Sequence, residues 1–169
     1  MPYQASKEVR MRTPANIAKH PIHPMLVPIP IGLWIFSLVC DLVYVFGWGG
    51  DAWRTVAFYN MVAGVVGALI AAIPGLIDLL SLPPAPKKTA LIHMTLNLSI
   101  VALYVLNIVL RVGNPERITA PVWLSVIAVA LLGASGWLGG KLVYELGVAV
   151  DTGEEAAHLK TESARRVRA

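Results

Sequence analysis

Three histidines and one aspartate are the side chains of this sequence whose types and positions are best suited to chemistry. His20 and His23 stand in the stretch His-Pro-Ile-His-Pro. Asp78 lies near the end of one apolar run, and His93 lies near the start of the next. Imidazole nitrogens and carboxylate oxygens are common ligands of zinc and iron, and imidazole is a common axial ligand of haem. These residue types predict a metal or haem site wherever the fold brings them together.

The elements that must position these residues are membrane-spanning helices. Of the 169 residues, 56% are hydrophobic and 14% are charged, and the mean hydropathy is +0.65. A soluble domain averages about 25% charged residues. The composition therefore excludes an ordinary soluble enzyme, a disordered chain and a disulfide scaffold. It predicts an integral protein of the lipid bilayer.

Four apolar runs reach the length of about 20 residues that a transmembrane helix requires. They cover about residues 25–46, 56–82, 90–110 and 121–143. Short polar connections over 47–55, 83–89 and 111–120 make successive helices antiparallel neighbours. We therefore predict an all-α, four-helix transmembrane bundle with up-down topology over 25–143. A basic, proline-rich interfacial segment over 1–24 precedes it, and a charged cytoplasmic tail over 144–169 follows it.

The distribution of Lys and Arg predicts how the bundle is oriented. The N-terminal segment, the second connection and the C-terminal stretch hold 11 basic residues, and the other two connections hold 3. The positive-inside rule then places both termini in the cytoplasm. The net charge of +4 is thus a topology signal. It does not predict a nucleic-acid partner, because no aromatic or groove-reading context accompanies the basic residues.

The polar residues of the third span share one helical face. His93, Asn97, Tyr104, Asn107 and Arg111 fall at offsets of 0, 4, 11, 14 and 18 residues. At the α-helical period these positions lie above one another. Because polar groups are costly in hydrocarbon, we expect this stripe to face the bundle interior.

The predicted topology gathers five chemically capable side chains at the cytoplasmic end of the bundle: His20, His23, Asp78, His93 and Lys141. The prolines that flank the first two histidines are expected to hold them in extended or turn conformation ahead of the first helix. These five residues form the candidate site.

Three further features concern packing. At the opposite end, Asp41 and Arg111 are expected to form an interhelical ion pair. Gly136 and Gly140 form a GxxxG motif, which suits either a homo-oligomer or a contact inside the bundle. Cys40 is the only cysteine, and we interpret it as a small buried hydrophobic residue.

Three stretches of the sequence resemble a family of predicted bacterial membrane proteins, DUF2231. They are residues 20–27 (His-Pro-Ile-His-Pro-Met-Leu-Val), residues 74–78 (Pro-Gly-Leu-Ile-Asp) and residues 139–148 (Gly-Gly-Lys-Leu-Val-Tyr-Glu-Leu-Gly-Val). The resemblance runs over about residues 14–151 and implies a multi-pass protein of the bacterial cytoplasmic membrane. Some relatives are joined to Rieske-type iron–sulfur domains, which associates the family with electron transfer. Many relatives have a histidine where this chain has Pro28, so this chain lacks one potential ligand.

The first functional hypothesis is a haem b protein that transfers electrons to or from a redox partner on the cytoplasmic side. His93 and His23 are the predicted axial ligands, with His20 as a less favoured partner. Asp78 would orient a ligand imidazole, and Lys141 would meet a haem propionate.

Two alternatives remain open on the sequence alone. His20, His23, His93 and Asp78 also form a three-histidine, one-carboxylate set for non-haem iron or zinc. The chain could equally be a structural or accessory membrane subunit without a cofactor. It shows no phosphate-binding glycine loop, nucleophile elbow or His-Glu-x-x-His motif, so we do not expect a stand-alone enzyme.

Overall fold

The computed structural model describes residues 11–150 as a short β-hairpin followed by helices. The hairpin pairs β1 (Asn16–Ile17) with β2 (His20–Pro21) in antiparallel register. The helices are α1 (Ile22–Leu26), α2 (Pro28–Val45), α3 (Asp51–Ser81), α4 (Pro84–Gly113) and α5 (Thr119–Tyr144). The predicted tail lies outside the described residues from position 151 onward, as do Lys7 and Arg10 among the residues used to predict orientation.

Four helical segments are long and apolar enough to cross a membrane, which confirms the predicted all-α four-helix bundle. They are α1 and α2 taken together (Ile22–Val45), α3, α4 and α5. Helix α2 packs on α3, α3 on α4, α4 on α5 and α5 on α2. Each helix also presents large apolar side chains outward, among them Phe36, Ile73, Leu98 and Ile127. Such a surface is stable only against lipid or another apolar surface.

Several helix boundaries differ from the predicted ones. Helix α3 begins at Asp51 and not near residue 56, and α4 ends at Gly113 and not near residue 110. The connection predicted over residues 83–89 is helical from Pro84 onward, because proline is well tolerated in a first helical turn. His23 was predicted in an extended or turn conformation ahead of the first helix, and it lies instead in the short helix α1. The backbone N–H of Val27 donates to the carbonyl of His23 at 3.2 Å, so α1 leads almost directly into α2.

The core of the bundle is built around two stacked aromatic rings. Trp34 of α2 and Tyr104 of α4 lie with ring centres 4.5 Å apart and planes 8° from parallel. Their cluster includes Met61, Ile100 and Leu132. The predicted polar stripe of α4 does face this interior, since Tyr104, Asn107 and Arg111 are buried and His93 and Asn97 are half-buried.

Gly64 of α3 provides the space in which the Trp34 indole lies. A Cβ atom at Gly64 would be 2.4 Å from Trp34 Nε1, far inside the contact distance of any side chain. The indole N–H points to the Met61 carbonyl at 3.4 Å. The small residue is therefore required by the close approach of α2 and α3.

A buried ion pair holds the end of the bundle opposite the hairpin. Arg111 Nη1 and Nη2 donate to the two carboxylate oxygens of Asp41 at 2.9 and 2.6 Å. Arg111 Nε donates to Asn107, whose amide donates in turn to the Pro121 carbonyl and to Ser125 Oγ. The predicted Asp41–Arg111 pair is thus confirmed. It joins α2, α4 and α5 through a network in which each guanidinium nitrogen has an acceptor.

Removing one partner of this ion pair should destabilise the protein strongly. We expect Asp41→Ala to lower the free energy of unfolding by about 3–5 kcal/mol, because the Arg111 charge would remain buried without its partner. Thermal unfolding in detergent measures the effect. Asp51→Ala is the matched control, since Asp51 is exposed and 3.9 Å from Arg54. Equal stability of the two variants would contradict the structural role given to the pair.

Adding a methyl group beneath the Trp34 indole should also destabilise the bundle. Gly64→Ala forces the ring or the helix to move, and we expect a loss of about 1–3 kcal/mol in unfolding free energy. Gly32→Ala is the control, because a Cβ atom at Gly32 meets nothing within 4 Å. The comparison is made by thermal unfolding, and a Gly64 variant as stable as the Gly32 variant would refute the close packing.

Candidate functional site

Residues 11–21, the segment before α1, cross one end of the bundle. We call this segment the strap and this end of the bundle the hairpin end. The backbone N–H of Ala15 donates to Asp78 Oδ1 at 2.9 Å, and both residues are buried. Met11 exchanges backbone hydrogen bonds with the chain after α5, donating to Gly147 and accepting from Ala149, both at 2.9 Å. These contacts fix where the hairpin ends and therefore where α1 begins.

His23 reaches from α1 to α3. Its Nδ1 lies 2.8 Å from the carbonyl oxygen of Ala71, and the ring is half-buried. Gly75 makes this approach possible, because a Cβ atom there would be 2.7 Å from His23 Nδ1. Pro74, which precedes Gly75 in α3, lacks an N–H and so interrupts the helical hydrogen bonding there. Gly75 therefore provides the space beside α3 in which the imidazole lies.

His93 makes the equivalent contact from α4 to α5. Its Nδ1 lies 2.9 Å from the carbonyl oxygen of Ser135, with Ser135 Oγ at 3.0 Å. The Asn97 amide lies 3.1 Å from His93 Nε2 and also donates to the His93 carbonyl at 2.8 Å. A Cβ atom at Gly139 would be 3.4 Å from His93 Cε1. A glycine thus lies against each of the two imidazoles.

The two imidazole rings lie edge to face between the helices. Their ring centres are 6.4 Å apart and their planes are 87° from parallel. A carbonyl oxygen can only accept, so each Nδ1 must carry the proton in the neutral ring. The lone pair of each histidine then resides on Nε2. The site accordingly offers two imidazole nitrogens of the kind that bind metals, supplied by α1 and α4.

The other three predicted site residues have different partners. Asp78 accepts from the Ala15 amide. His20 is exposed in β2 and lies 2.9 Å from the Ala18 carbonyl through its Nδ1. Lys141 Nζ lies 3.7 Å from Glu145 Oε2. Over residues 11–150 no group of three or more His, Cys, Asp or Glu side chains is arranged to hold a metal ion. The structure therefore brings together His23 and His93 from the predicted set.

The family model described as a predicted membrane protein, DUF2231, matches residues 19–152. The chain belongs to the DUF2231 family. The match begins just before β2 and includes all five helices. The two histidines, His23 and His93, and the glycines beside them, Gly75 and Gly139, all lie within it. Neither the curated proteins nor the solved structures contain a match to the chain.

Three participants of this site were not predicted from the sequence: Ser135, the Ala71 carbonyl and the Ala15 amide. A signal for Ser135 exists, because Ser125, Leu132, Ser135 and Gly139 fall at offsets of 0, 7, 10 and 14 on α5. That spacing places small polar residues on one interior face. No pattern identifies the Ala15 amide, because any residue other than proline has the same backbone N–H.

The bond between Asp78 and the Ala15 amide should control how firmly the strap is held. We expect Asp78→Ala to increase amide hydrogen exchange in residues 11–17 at least about tenfold, since a hydrogen bond to a charged group contributes about 1.5–3 kcal/mol. Asp78→Asn keeps an acceptor oxygen and should show a smaller increase. Exchange mass spectrometry on the full chain in detergent measures both, and unchanged exchange in Asp78→Ala would rule out the strap contact.

Proposed function

We propose that this protein binds haem b between His23 and His93 and takes part in electron transfer. The observation that carries the proposal is the pair of adjacent imidazoles, with ring centres 6.4 Å apart and planes 87° from parallel. A metal ion bonded at about 2 Å to an imidazole nitrogen on each side would separate the two ring centres by roughly 6 Å. The observed separation is therefore suited to one metal ion shared by two rings.

The hydrogen bonds of both rings support a ligand role. Histidines that ligate metals usually donate their other ring N–H to a carbonyl or carboxylate, which fixes the tautomer and raises the basicity of the ligating nitrogen. His23 and His93 make this contact to Ala71 and Ser135. The Asn97 amide that touches His93 Nε2 has a second acceptor in the His93 carbonyl, so ligation would not leave it unpaired.

The number of protein ligands favours haem over a non-haem metal. Zinc and non-haem iron usually take three or four protein ligands, whereas haem iron needs only one or two because the porphyrin supplies the rest. Here two imidazoles lie next to each other, and Asp78 and His20 are occupied by backbone groups. Gly75 and Gly139 keep side chains away from both rings, and a Cβ atom at Gly136 would meet nothing within 4 Å.

In this proposal each part of the site has a defined task. His23 and His93 would hold the iron, and Gly75 and Gly139 would leave room beside them. A bound haem would supply a one-electron redox couple. Lys141 lies on the same helix as Gly139, where its ammonium could pair with a propionate in place of Glu145. The Nδ1–H bonds hold the two imidazoles in one orientation during electron transfer.

The location of the site suggests which partner it would serve. By the positive-inside count, the hairpin end faces the cytoplasm of a bacterial cell, with the protein in the cytoplasmic membrane. Lys87 and Lys88 lie in the first turns of α4 at this end, and Lys88 is exposed. A redox partner with an acidic docking surface would complement these charges.

The hydrogen bonds of His23 and His93 also favour a second candidate function, that of an accessory subunit without a cofactor. His23 ties α1 to α3, and His93 ties α4 to α5. Hydrogen bonds of this kind stabilise helix association in membranes without any ligand. In that case both histidines would be structural residues, and the purified protein would be colourless.

Purification of the full chain from cells supplied with haem precursor distinguishes the candidates. We expect stoichiometric haem and sharp α and β absorption bands on reduction. His23→Ala and His93→Ala should lose both, while His20→Ala should retain them because His20 is exposed. Metal analysis of the same samples detects zinc or non-haem iron instead. A colourless, metal-free wild-type protein would refute the haem proposal and leave the accessory subunit.

A rescue experiment separates ligation from folding. His93→Gly removes both the ligand and the tie to Ser135, and added imidazole can restore only a ligand in the vacated space. Recovery of the haem bands with imidazole would support ligation by His93. Thermal unfolding of the same variant shows whether the bundle remains folded. Failure of rescue in a folded variant would contradict the ligand role.

A further inference from the structure

The Asn97 amide occupies the ring nitrogen through which His93 would bind a metal. Asn97 Nδ2 lies 3.1 Å from His93 Nε2, and the two residues are four positions apart on α4. Because Nδ1 of the same ring binds Ser135, the neutral ring has its lone pair on Nε2 and accepts there from the amide. We propose that Asn97 caps this lone pair and so sets how tightly His93 binds a metal centre. This inference rests on the proposed function and names a residue that regulates the same site.

A comparison with Asn60 separates the cap from the usual bond of an asparagine within a helix. Asn60 Nδ2 donates to the carbonyl of Val56, four residues earlier on α3, at 2.8 Å. Asn97 Nδ2 makes the same bond to the His93 carbonyl, also at 2.8 Å. A side-chain amide has a second N–H, and the Nε2 of His93 lies within hydrogen-bonding distance of it. The bond to Nε2 can therefore break while the bond to the carbonyl remains.

The two imidazoles differ in how accessible their lone pairs are. Among residues 11–150, the hydrogen bond of the His23 ring is the one that joins its Nδ1 to the Ala71 carbonyl at 2.8 Å. The His93 ring has partners at both nitrogens. The Nε2 of His23 is thus open to a metal centre, whereas the Nε2 of His93 becomes open after the amide has moved. His93 is therefore the ligand whose binding the protein can control.

Ser135 makes the cap effective because it fixes the ring. Its carbonyl oxygen and hydroxyl oxygen lie 2.9 and 3.0 Å from His93 Nδ1, and Ser135 itself is buried. The ring cannot turn its Nε2 away from Asn97 without losing the contact with α5. Ligation must displace the amide, and the loss of one neutral hydrogen bond weakens binding about fivefold.

The variants Asn97→Leu and Asn97→Ala test the cap in the full-length protein in detergent. Both remove the amide donor, and leucine fills the space that alanine leaves open, so an effect that they share is due to the lost donor. Ferric haemin titrated into haem-free protein gives the dissociation constant. We expect both variants to bind haemin about fivefold more tightly than the wild-type protein does. Asn60→Leu is the matched control and should leave the constant unchanged, because the bond of Asn60 lies within its own helix.

Nitrogen-15 NMR of the haem-free protein detects the cap without any cofactor. The Nε2 resonance of His93 is identified by its absence in His93→Ala. In the wild-type protein it should have the frequency of a nitrogen that accepts a hydrogen bond. In both Asn97 variants it should move to higher frequency, toward that of an unbonded imidazole nitrogen. A purely structural role of Asn97 would not produce this shift.

The outcomes separate the cap from the haem proposal. Haemin binding by the wild-type protein with unchanged affinity in both Asn97 variants overturns the cap and leaves the haem proposal standing. Weaker binding by both variants, or tighter binding by Asn97→Ala alone, also overturns the cap. A wild-type His93 Nε2 resonance at the frequency of an unbonded nitrogen overturns it without any variant. No haemin binding by the wild-type protein refutes the proposed function, and the control of ligand affinity fails with it.

Discussion

Hydrocarbon offers no hydrogen-bond partner, so polar groups inside this bundle are stabilised when they bind one another or the backbone. Ser37 donates to the Ala57 carbonyl at 2.8 Å, and Asn107 donates to the carbonyl of Pro121. Both half-buried histidines lie within hydrogen-bonding distance of carbonyls on neighbouring helices. This constraint explains why the small residues matter. Gly64 and Gly75 let an indole and an imidazole come close enough to the backbone of α3 to bind it.

The polar side chains at the two ends of the bundle find their hydrogen-bond partners in different ways. At the end opposite the hairpin, the Asp41 carboxylate and the Arg111 guanidinium satisfy each other within a network that includes Asn107. At the hairpin end, each imidazole uses Nδ1 to bind a helix and has its lone pair on Nε2, where that of His93 accepts from the Asn97 amide. A neutral ring with one anchored nitrogen can still accept a metal ion. This difference is why we propose the hairpin end as the place where a ligand binds.

Sequence patterns predicted the features that depend on periodicity. The apolar runs predicted the four spans, the polar stripe of α4 predicted which face is buried, and the positions of Asp41 and Arg111 predicted their pairing. Features that depend on backbone atoms were not predictable in the same way. The carboxylate of Asp78 binds a peptide N–H that no residue type marks, and His93 lies against the carbonyl of Ser135. The start of helix α4 at Pro84 was not predicted either. A polar stretch ends an apolar run in the sequence, but it does not have to end a helix.

We propose that His23 and His93 act together as a ligand pair. Electron paramagnetic resonance of the oxidised wild-type protein tests it directly, because the spin state of ferric haem reports the number of strong axial ligands. Two imidazole ligands predict a low-spin ferric signal in protein purified with adequate haem supply. A high-spin ferric signal would mean that one imidazole does not bind the iron, and absence of a haem signal would mean that neither does. Either result would contradict the account.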